Sequence, residues 1–123
     1  MLCELIVSIA YLATPYSKFP GGIKRAFVEA SKLAARLMLA GVKVYSPIAH
    51  THPLAVYGDI DPLDHYIWLP FDETMMTLAS NLIVAHMHGW QESKGIKHEI
   101  EFFEKASKPI FDLDIKTLMM TRR

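Results

Sequence analysis

The sequence predicts an α/β fold of three layers, in which helices cover both faces of a small parallel sheet of four or five strands, as in flavodoxin-like and Rossmann-like proteins. Short apolar runs of strand length alternate with amphipathic stretches of helix length along the chain. This alternation is typical of parallel sheets, because each crossover helix packs on a face of the sheet. A chain of 123 residues is long enough for one core and short for two, so we expect a single domain over residues 1–123.

Four apolar runs are predicted to be strands, at residues 4–12, 42–47, 81–87 and 109–113. The first and third runs hardly alternate between apolar and polar residues. Strands buried on both faces have this pattern.

The helices follow from three- and four-residue spacing of apolar side chains. One runs from Ile23 to Met38 and stops before Gly41. Residues 48–62 have no clear period and are predicted to be a long loop. The remaining helices are predicted at 61–79, begun by Asp61 and Pro62 and kinked or split by Pro70, at 96–107, and at 115–123.

Ligands of such folds bind beyond the carboxyl ends of the strands. These ends lead into residues 13–22, 47–62, 88–95 and the tail after 113. We therefore expect the functional site to be built from these segments.

Composition excludes several classes of function. The 13 basic and 13 acidic residues balance, and no basic cluster suggests nucleic-acid binding. A single cysteine cannot form an internal disulfide and suits a reducing compartment. No apolar run is long enough to span a bilayer. We expect a cytoplasmic protein with neither nucleic-acid nor membrane partners.

Common cofactor and nucleophile motifs are missing from the sequence. It has no GxGxxG, no GxxxxGK[ST] and no GxSxG. We therefore expect no cofactor.

Glu99 differs from the other glutamates of its predicted helix. On a helical wheel it falls beside the apolar stripe of Ile100 and Phe103, whereas Glu101 and Glu104 fall on the opposite side. A glutamate near a helix start commonly just complements the helix dipole. The alternative is a carboxylate held ionised beside a cleft, suited to nucleophilic attack.

The segment before Glu99 could bind an anion. Ser93 and Gly95 offer a hydroxyl and bare backbone N–H groups at a helix start, although they could equally form an N-cap and a turn. Trp90, just past a strand end, could stack on a base or sugar, or serve only in packing.

A second carboxylate, Asp72, lies on the preceding predicted helix. Asp64, Trp68 and Asp72 are four residues apart and share one helix face. Two carboxylates in one cleft, one ionised and one protonated, can cleave a glycosidic bond. A surface or capping role is the simpler interpretation for Asp64, and for Asp72 the two interpretations are balanced.

Histidines and tyrosines complete the set of candidates. Two HxH pairs, one of them His50 and His52, could bind a metal, but no HExxH or cysteine partner supports this, and lining a pocket is the preferred role. Tyr11 ends the first strand and could either pack in the core or orient a nucleophile. Tyr16 and Ser17 lie in the following loop and, like Asp64 and Trp68, are candidates for substrate binding.

Several of these residues also carry a resemblance. The segments YLATPYS at 11–17, SPIAHTHP at 46–53 and GWQESKG at 89–95, with the spacing of Asp64, Trp68 and Asp72, resemble the DUF1937 family of small bacterial and phage proteins. Tyr11, Asp72 and the Ser93-x-Gly95-x-x-x-Glu99 spacing are similar to the nucleoside 2-deoxyribosyltransferase superfamily, which includes the 2'-deoxynucleoside 5'-phosphate N-hydrolases.

The resemblance to the transferases implies a fold of that type and roles for four residues. Glu99 would attack C1' of a deoxyribose, Asp72 would protonate or position the departing base, Tyr11 would hold the nucleophile, and Ser93 would help to bind a 5'-phosphate. It also implies a homodimer or homotetramer. The first loop, the HTHP segment and Trp68 depart from the transferase pattern.

The leading hypothesis is therefore an enzyme that acts on the N-glycosidic bond of a nucleoside or nucleotide. One alternative is a ligand sensor without catalysis that uses the same helix start and Trp90. Another is a metal-dependent hydrolase that uses His50 and His52.

Overall fold

The computed structural model describes residues 8–123 and confirms the α/β fold class. Nine helices and strands form it, in the order β1 (Ala10–Ala13), α1 (Ile23–Leu39), β2 (Val44–Tyr45), α2 (Pro47–Gly58), α3 (His65–Leu78), β3 (Asn81–Ala85), α4 (Lys94–Lys105), β4 (Ile110–Leu113) and β5 (Met120–Arg122). A short 3-10 turn, Trp90–Glu92, precedes α4.

The five strands form one sheet in the order β2-β1-β3-β4-β5. β1 pairs in parallel with both β2 and β3, and β3 pairs in parallel with β4. β5 pairs antiparallel with β4 at the edge. The strand order reverses between β1 and β3, and α/β sheets of this topology hold their ligands outside the carboxyl ends of those two strands.

The central strand β1 is buried on both faces, and its alternating side chains enter two separate cores. Ala10 and Leu12 pack on the face covered by α1, where Leu33 and Leu37 lie. Tyr11 and Ala13 point to the other face, which α3 and α4 cover with Met76, Ile96 and Phe103. The molecule therefore has the predicted three layers.

The prediction of a long loop at 48–62 is wrong, because residues 47–58 form helix α2. Ser46 caps this helix by accepting a 3.2 Å hydrogen bond from the N–H of Ala49, and Pro47 occupies its first position. Pro53 lies inside the helix, where it removes one backbone donor. Its prolines and its weak apolar period made the segment look irregular.

The prediction of a terminal helix at 115–123 is also wrong. The carboxylate of Asp114 accepts hydrogen bonds from the N–H groups of Lys116 and Thr117, and Leu118 adopts a positive φ of 64°. This tight turn sends the chain back along β4 as strand β5.

Other boundaries differ by a few residues. α3 begins at His65, and its N-cap is Asp64 rather than Asp61; the helix continues through Pro70. α4 begins at Lys94, two residues before the predicted start. β2 is limited to residues 44–45 and β3 ends at Ala85. The first half of the predicted first strand, residues 4–7, lies outside the described residues.

Among residues 8–123, no helix combines the length and the apolar character needed to cross a membrane. The longest, α1, has 17 residues and an amphipathic sequence.

Lys108 holds the end of α3 against the sheet. Its ammonium group donates hydrogen bonds to three backbone carbonyls near that end, of Met76 at 3.1 Å, Thr77 at 2.7 Å and Ala79 at 2.7 Å. Carbonyls at a helix end lack intrahelical partners, and a cation there complements the helix dipole.

We predict that Lys108→Met lowers the free energy of unfolding by about 1–3 kcal/mol, because three carbonyls lose a charged donor while the apolar stem is kept. Urea denaturation followed by circular dichroism measures this loss. The control is Lys97→Met, at an exposed lysine of α4. Equal stability of the two variants would contradict the anchoring role of Lys108.

Candidate functional site

Three of the predicted site residues, from three different elements, meet on the α3–α4 face of the sheet. Tyr11 of β1 is completely buried, while Asp72 of α3 and Glu99 of α4 are partly buried. The charges of Glu99 and Asp72 both act on the Tyr11 hydroxyl, and the two carboxyl groups act on each other. The structure therefore brings the three together as one cluster, called here the carboxylate cluster.

Burial is the main cause of the raised pKa of Glu99. It raises the pKa of this carboxyl to about 8, the contact with Tyr11 opposes the rise, and the charge of Asp72 adds to it. At neutral pH, Glu99 therefore binds a proton for most of the time in the absence of a ligand.

Burial also raises the pKa of Asp72, to about 6, and the neighbouring His98 limits the rise. Between these two values the pair of carboxyl groups holds roughly one proton. One ionised and one protonated carboxyl group in a shared environment is the combination that acid–base and nucleophilic chemistry use together.

The position of Glu99 along α4 differs from the sequence expectation. Because α4 begins at Lys94, Glu99 lies in its second turn and the first turn contains no acidic residue. The helix dipole acts mainly within the first turn. The helix dipole therefore does not determine the protonation state of Glu99, and the surroundings of this carboxyl favour its neutral form.

Several buried polar atoms in and around the cluster have no aligned hydrogen-bond partner among the described residues. These are the hydroxyls of Tyr11 and Tyr45, Oδ1 of Asp72 and Nε2 of His98. The Tyr11 hydroxyl is near enough to Glu99 to lower its pKa without closing a well-aligned bond. Nε2 of His98 lies 3.3 Å from Oε2 of Glu73, an ion-pair distance without hydrogen-bond alignment. Unsatisfied polar groups are rare in protein interiors, and strain, an ordered water, an ion or a catalytic role accounts for those that occur.

Aromatic rings border the carboxylate cluster. Tyr45 lies 5.7 Å from Tyr11 between ring centroids and 6.0 Å from His50, and His50 stacks on Phe71 at 5.5 Å. Burial and the charge of Asp72 raise the pKa of Tyr45 above its ordinary value. The sequence reasoning missed Tyr45 and Phe71. Tyr45 lies opposite Tyr11 in the parallel register of β1 and β2, and the sequence alone does not show that register.

A separate cleft of about 370 Å³ lies beyond the carboxyl ends of β1 and β3. It is the place where the strand order reverses and where ligands are expected. Ser17, Trp90 and Ser93 line it, together with the basic side chains of Lys18 and Lys94. Neither Asp72 nor Glu99 contributes to its lining.

The N-terminal residues of α4 have local roles at this cleft. The Ser93 hydroxyl caps the helix by accepting a 3.2 Å hydrogen bond from the N–H of Ile96. Gly95 is exposed, and a Cβ at this position would meet only the Ser93 Oγ, at an ordinary 3.8 Å. The N-cap interpretation therefore describes the free protein, and anion binding by these two residues stays a prediction.

Trp90 is held by a polar cluster at the ends of β3 and β4. His86 stacks on its ring at 4.1 Å, and Arg123 lies 5.8 Å from it. The carboxylate of Asp112 connects these two residues. Its Oδ1 lies 2.8 Å from Nε2 of His86, and its Oδ2 accepts a 3.0 Å hydrogen bond from Nε of Arg123. One face of the indole is therefore occupied by a protein ring, and Trp90 also contributes to the lining of the cleft.

His52 and Tyr16 form a structural pair. Nδ1 of His52 lies 2.6 Å from the Tyr16 hydroxyl, and its ring stacks on Phe27 at 4.6 Å. His52 is buried, and burial lowers its pKa. This pair ties the first loop to α1 and α2. His50 is exposed and lies instead among the aromatic rings that border the carboxylate cluster.

Asp64 and Trp68 have local partners at the start of α3. Asp64 accepts a hydrogen bond from the N–H of Tyr66, and the Trp68 indole N–H donates to the carbonyl of Asp61 at 2.9 Å. The capping interpretation explains Asp64 without a ligand, and substrate binding by either residue stays a prediction.

Over residues 8–123, no group of three or more histidine, cysteine or acidic side chains is arranged to hold a metal ion. His50 and His52 have different surroundings and do not converge.

The comparison with known families matches residues 8–115 to the model of a domain of unknown function, DUF1937. This range covers most of the chain. No curated protein matches the sequence.

We predict that Glu99→Gln stabilises the protein at pH 8.5 and has little effect at pH 4.5. The folded state holds the Glu99 proton up to about pH 8, whereas the unfolded chain loses it near its ordinary pKa. Wild-type stability therefore falls as the pH rises through this window, and an uncharged side chain avoids the loss. The expected gain in melting temperature at pH 8.5 is at least about 3 °C.

Thermal unfolding at the two pH values measures this difference. Glu101→Gln, at an exposed glutamate of the same helix, is the control and should show no such pH dependence. A Glu99→Gln variant that is no more stable than the wild type at pH 8.5 would show that the surroundings of Glu99 do not favour its protonated form.

Proposed function

The chain belongs to the DUF1937 family, and we propose that it cleaves or transfers the N-glycosidic bond of a nucleoside or nucleotide through a carboxylate nucleophile. The observation that carries this proposal is the carboxylate cluster, in which Tyr11, Asp72 and Glu99 interact and share roughly one proton near neutral pH. Two carboxylates with one proton between them fit a reaction that needs a nucleophile and an acid at once.

The reaction has two steps. The reactive form is the one in which the shared proton is on Asp72 and Glu99 is ionised, which is the minor form of the free protein. In this form Glu99 attacks C1' of the sugar while the C1'–N bond breaks, and Asp72 gives its proton to the departing base. Water, or a second base, then attacks C1' of the resulting ester with Asp72 accepting its proton, and the C1'–O bond to Glu99 breaks. The positive charge that develops at C1' favours the ionised form of Glu99, which opposes the effect of burial.

Tyr11 supports Glu99 in this scheme. Its buried hydroxyl interacts with Glu99 in the free protein and lowers the pKa of that carboxyl. Burial and both carboxylates raise the pKa of Tyr11 itself, so that it stays a phenol and can donate a hydrogen bond to an ionised carboxylate. A neutral donor beside the nucleophile keeps the carboxylate oriented without adding charge.

The cleft beside α4 suggests which end of a nucleotide binds there. Its lining contains two lysines, Lys18 and Lys94, against one carboxylate, Glu92, and α4 presents its N-terminus there at Ser93. Both features favour an anionic group such as a 5'-phosphate. The resemblance to the 2'-deoxynucleoside 5'-phosphate N-hydrolases supports the same role for Ser93.

A second candidate function is ligand binding without catalysis. The cleft of about 370 Å³ contains Trp90 and Ser93 but neither carboxylate. A nucleotide bound only in this cleft would not contact Glu99, and the protein would then act as a sensor.

We predict that incubation with a panel of deoxynucleoside and ribonucleoside 5'-monophosphates releases free base. Glu99→Gln should lower the rate at least about a thousandfold, because the covalent step loses its nucleophile, and Asp72→Asn about a hundredfold, because the departing base loses its acid. Chromatography of the free base measures both rates, and Glu101→Gln is the control.

Absence of base release from every compound would contradict catalysis on monophosphates. Thermal stabilisation by a nucleotide without turnover, unchanged in Glu99→Gln, would favour the sensor instead.

We predict a bell-shaped dependence of kcat/KM on pH for the same reaction. Below about pH 6 both carboxyl groups are protonated and the nucleophile is lost, and above about pH 8 both are ionised and the acid is lost. In Asp72→Asn the rise in activity should move to higher pH, between about pH 6 and 8, because the nucleophile then forms only when the buried Glu99 itself loses its proton. A flat profile from pH 5 to 9 would contradict the shared-proton pair.

A further inference from the structure

Helix α3 exposes a row of large apolar side chains. Leu63 just before the helix, and Ile67, Phe71 and Leu78 within it, follow at intervals of four, four and seven residues, which places them on one side of the helix. These side chains are between 41% and 69% exposed. From Ile67 to Leu78 the row is about 17 Å long.

A second row on α2 lies beside the first. His50 stacks on Phe71, and the two residues lie about 12 Å and about 9 Å along their helices from the loop that joins α2 to α3. The two helices therefore run back along each other. Leu54 and Tyr57 follow His50 at the spacing of one helix side and are exposed as well.

The two rows together form the α2–α3 face, which consists of Leu54, Tyr57, Leu63, Ile67, Phe71 and Leu78, with Val56 and Tyr66 at its margins. Contiguous apolar surface of this extent typically marks an interaction site.

One end of the α2–α3 face is acidic. The loop between the two helices contains Asp59, Asp61 and Asp64, of which Asp59 and Asp61 are exposed. Asp61 and Asp64 each accept one hydrogen bond from a nearby backbone N–H, and a carboxylate can accept several. Within residues 8–123, none of the three forms an ion pair with a basic side chain. The negative charge of this loop is therefore not compensated by the protein itself.

The charge distribution narrows the choice of partner. Residues 47–78 contain five acidic side chains and no lysine or arginine, although the whole chain has 13 residues of each charge. A second copy of the same face offers no positive charge to this loop. Helices that lie on lipid surfaces have a basic polar face, and nucleic acids require basic contacts. The charge complementary to this face is that of a basic protein segment.

We propose that the α2–α3 face binds an amphipathic helix of another protein, with apolar side chains that contact the two rows and lysine or arginine side chains that meet the acidic loop. Helices bound in this way contact an apolar surface through residues at positions i, i+3 or i+4, and i+7. The row of about 17 Å matches about three turns of such a helix. The proposal does not depend on the proposed reaction.

The bound helix would lie next to the carboxylate cluster. Phe71 belongs to the α2–α3 face and precedes Asp72 in the chain, and His50, which stacks on Phe71, lies next to Tyr45. A partner on this face would therefore border the aromatic rings around the cluster.

Fluorescence anisotropy with two labelled peptides tests the proposal on the full chain. Both are amphipathic helices of about four turns with leucines on one side. The polar side consists of lysines in one peptide and of glutamates in the other. The lysine peptide should bind at least about tenfold more tightly than the glutamate peptide. Its affinity should fall as salt is added, because salt screens exposed charges.

Two variants locate the binding site. Asp59→Asn combined with Asp61→Asn removes two charges but keeps the loop, because asparagine tolerates the positive φ of 54° at residue 59 and retains the oxygen that accepts a hydrogen bond at residue 61. Tyr57→Ser removes an apolar side chain that is 89% exposed, so the core is not disturbed. Each variant should weaken binding of the lysine peptide at least about fivefold.

Matched controls separate these effects from general changes of charge and apolar surface. Glu101→Gln combined with Glu104→Gln removes two charges from exposed residues of α4, and Leu39→Ser removes a side chain of α1 that is 90% exposed. Neither control should change the affinity, and circular dichroism should show that all variants are folded.

Three results would overturn the proposal. The first is a lysine peptide that binds no more tightly than the glutamate peptide. The second is binding of the lysine peptide that both Tyr57→Ser and the double aspartate variant leave unchanged. The third is use of the face by something else, observed as a dimer in sedimentation velocity, or as binding to vesicles of anionic phospholipid, that Tyr57→Ser abolishes.

Discussion

The parallel pairing of β1 with strands on both of its sides is the constraint on which the rest of the structure depends. Because β1 is central, its alternating residues must fill two cores, and Tyr11 is thereby placed in the core under α3 and α4. The same pairing places Tyr45 beside Tyr11. The chain segments that follow β1 and β3 lead away in different directions, and the cleft lies between them. Both candidate sites thus follow from the position of one four-residue strand.

The groups of the carboxylate cluster are unfavourable for the stability of the folded protein. Two carboxyl groups occupy surroundings that disfavour their charge, and the hydroxyls of Tyr11 and Tyr45 have no aligned partner. A core selected for stability alone would replace such groups with apolar ones. Groups that are costly to bury persist only where the surrounding structure holds them in place. Lys108 and the packing of Phe103 supply part of that support at the end of α3.

The sequence could predict the fold class and the helical face of Glu99, because both depend on apolar periodicity. It could not predict α2, where the Ser46 cap and Pro47 at the first position begin a helix that tolerates Pro53, nor the β5 turn, where the Asp114 side chain redirects the backbone. The prediction that Glu99 is ionised assumed a helix that begins at residue 96, which would place Glu99 in the first turn. The helix begins at Lys94, two residues earlier. Burial of the carboxyl by neighbouring elements is a tertiary effect and leaves no local signal.

Helix α4 connects the two candidate sites, and the distance between them along the helix sets the length of any ligand that contacts both. Ser93 caps its start at the cleft, and Glu99 lies six residues later in the carboxylate cluster, about 9 Å along the helix axis. A phosphate or a free base alone does not cover that distance, whereas a sugar phosphate with its base does. Under the proposed function, α4 therefore selects for a complete nucleotide, because only such a ligand joins the cationic cleft to the shared proton of Asp72 and Glu99.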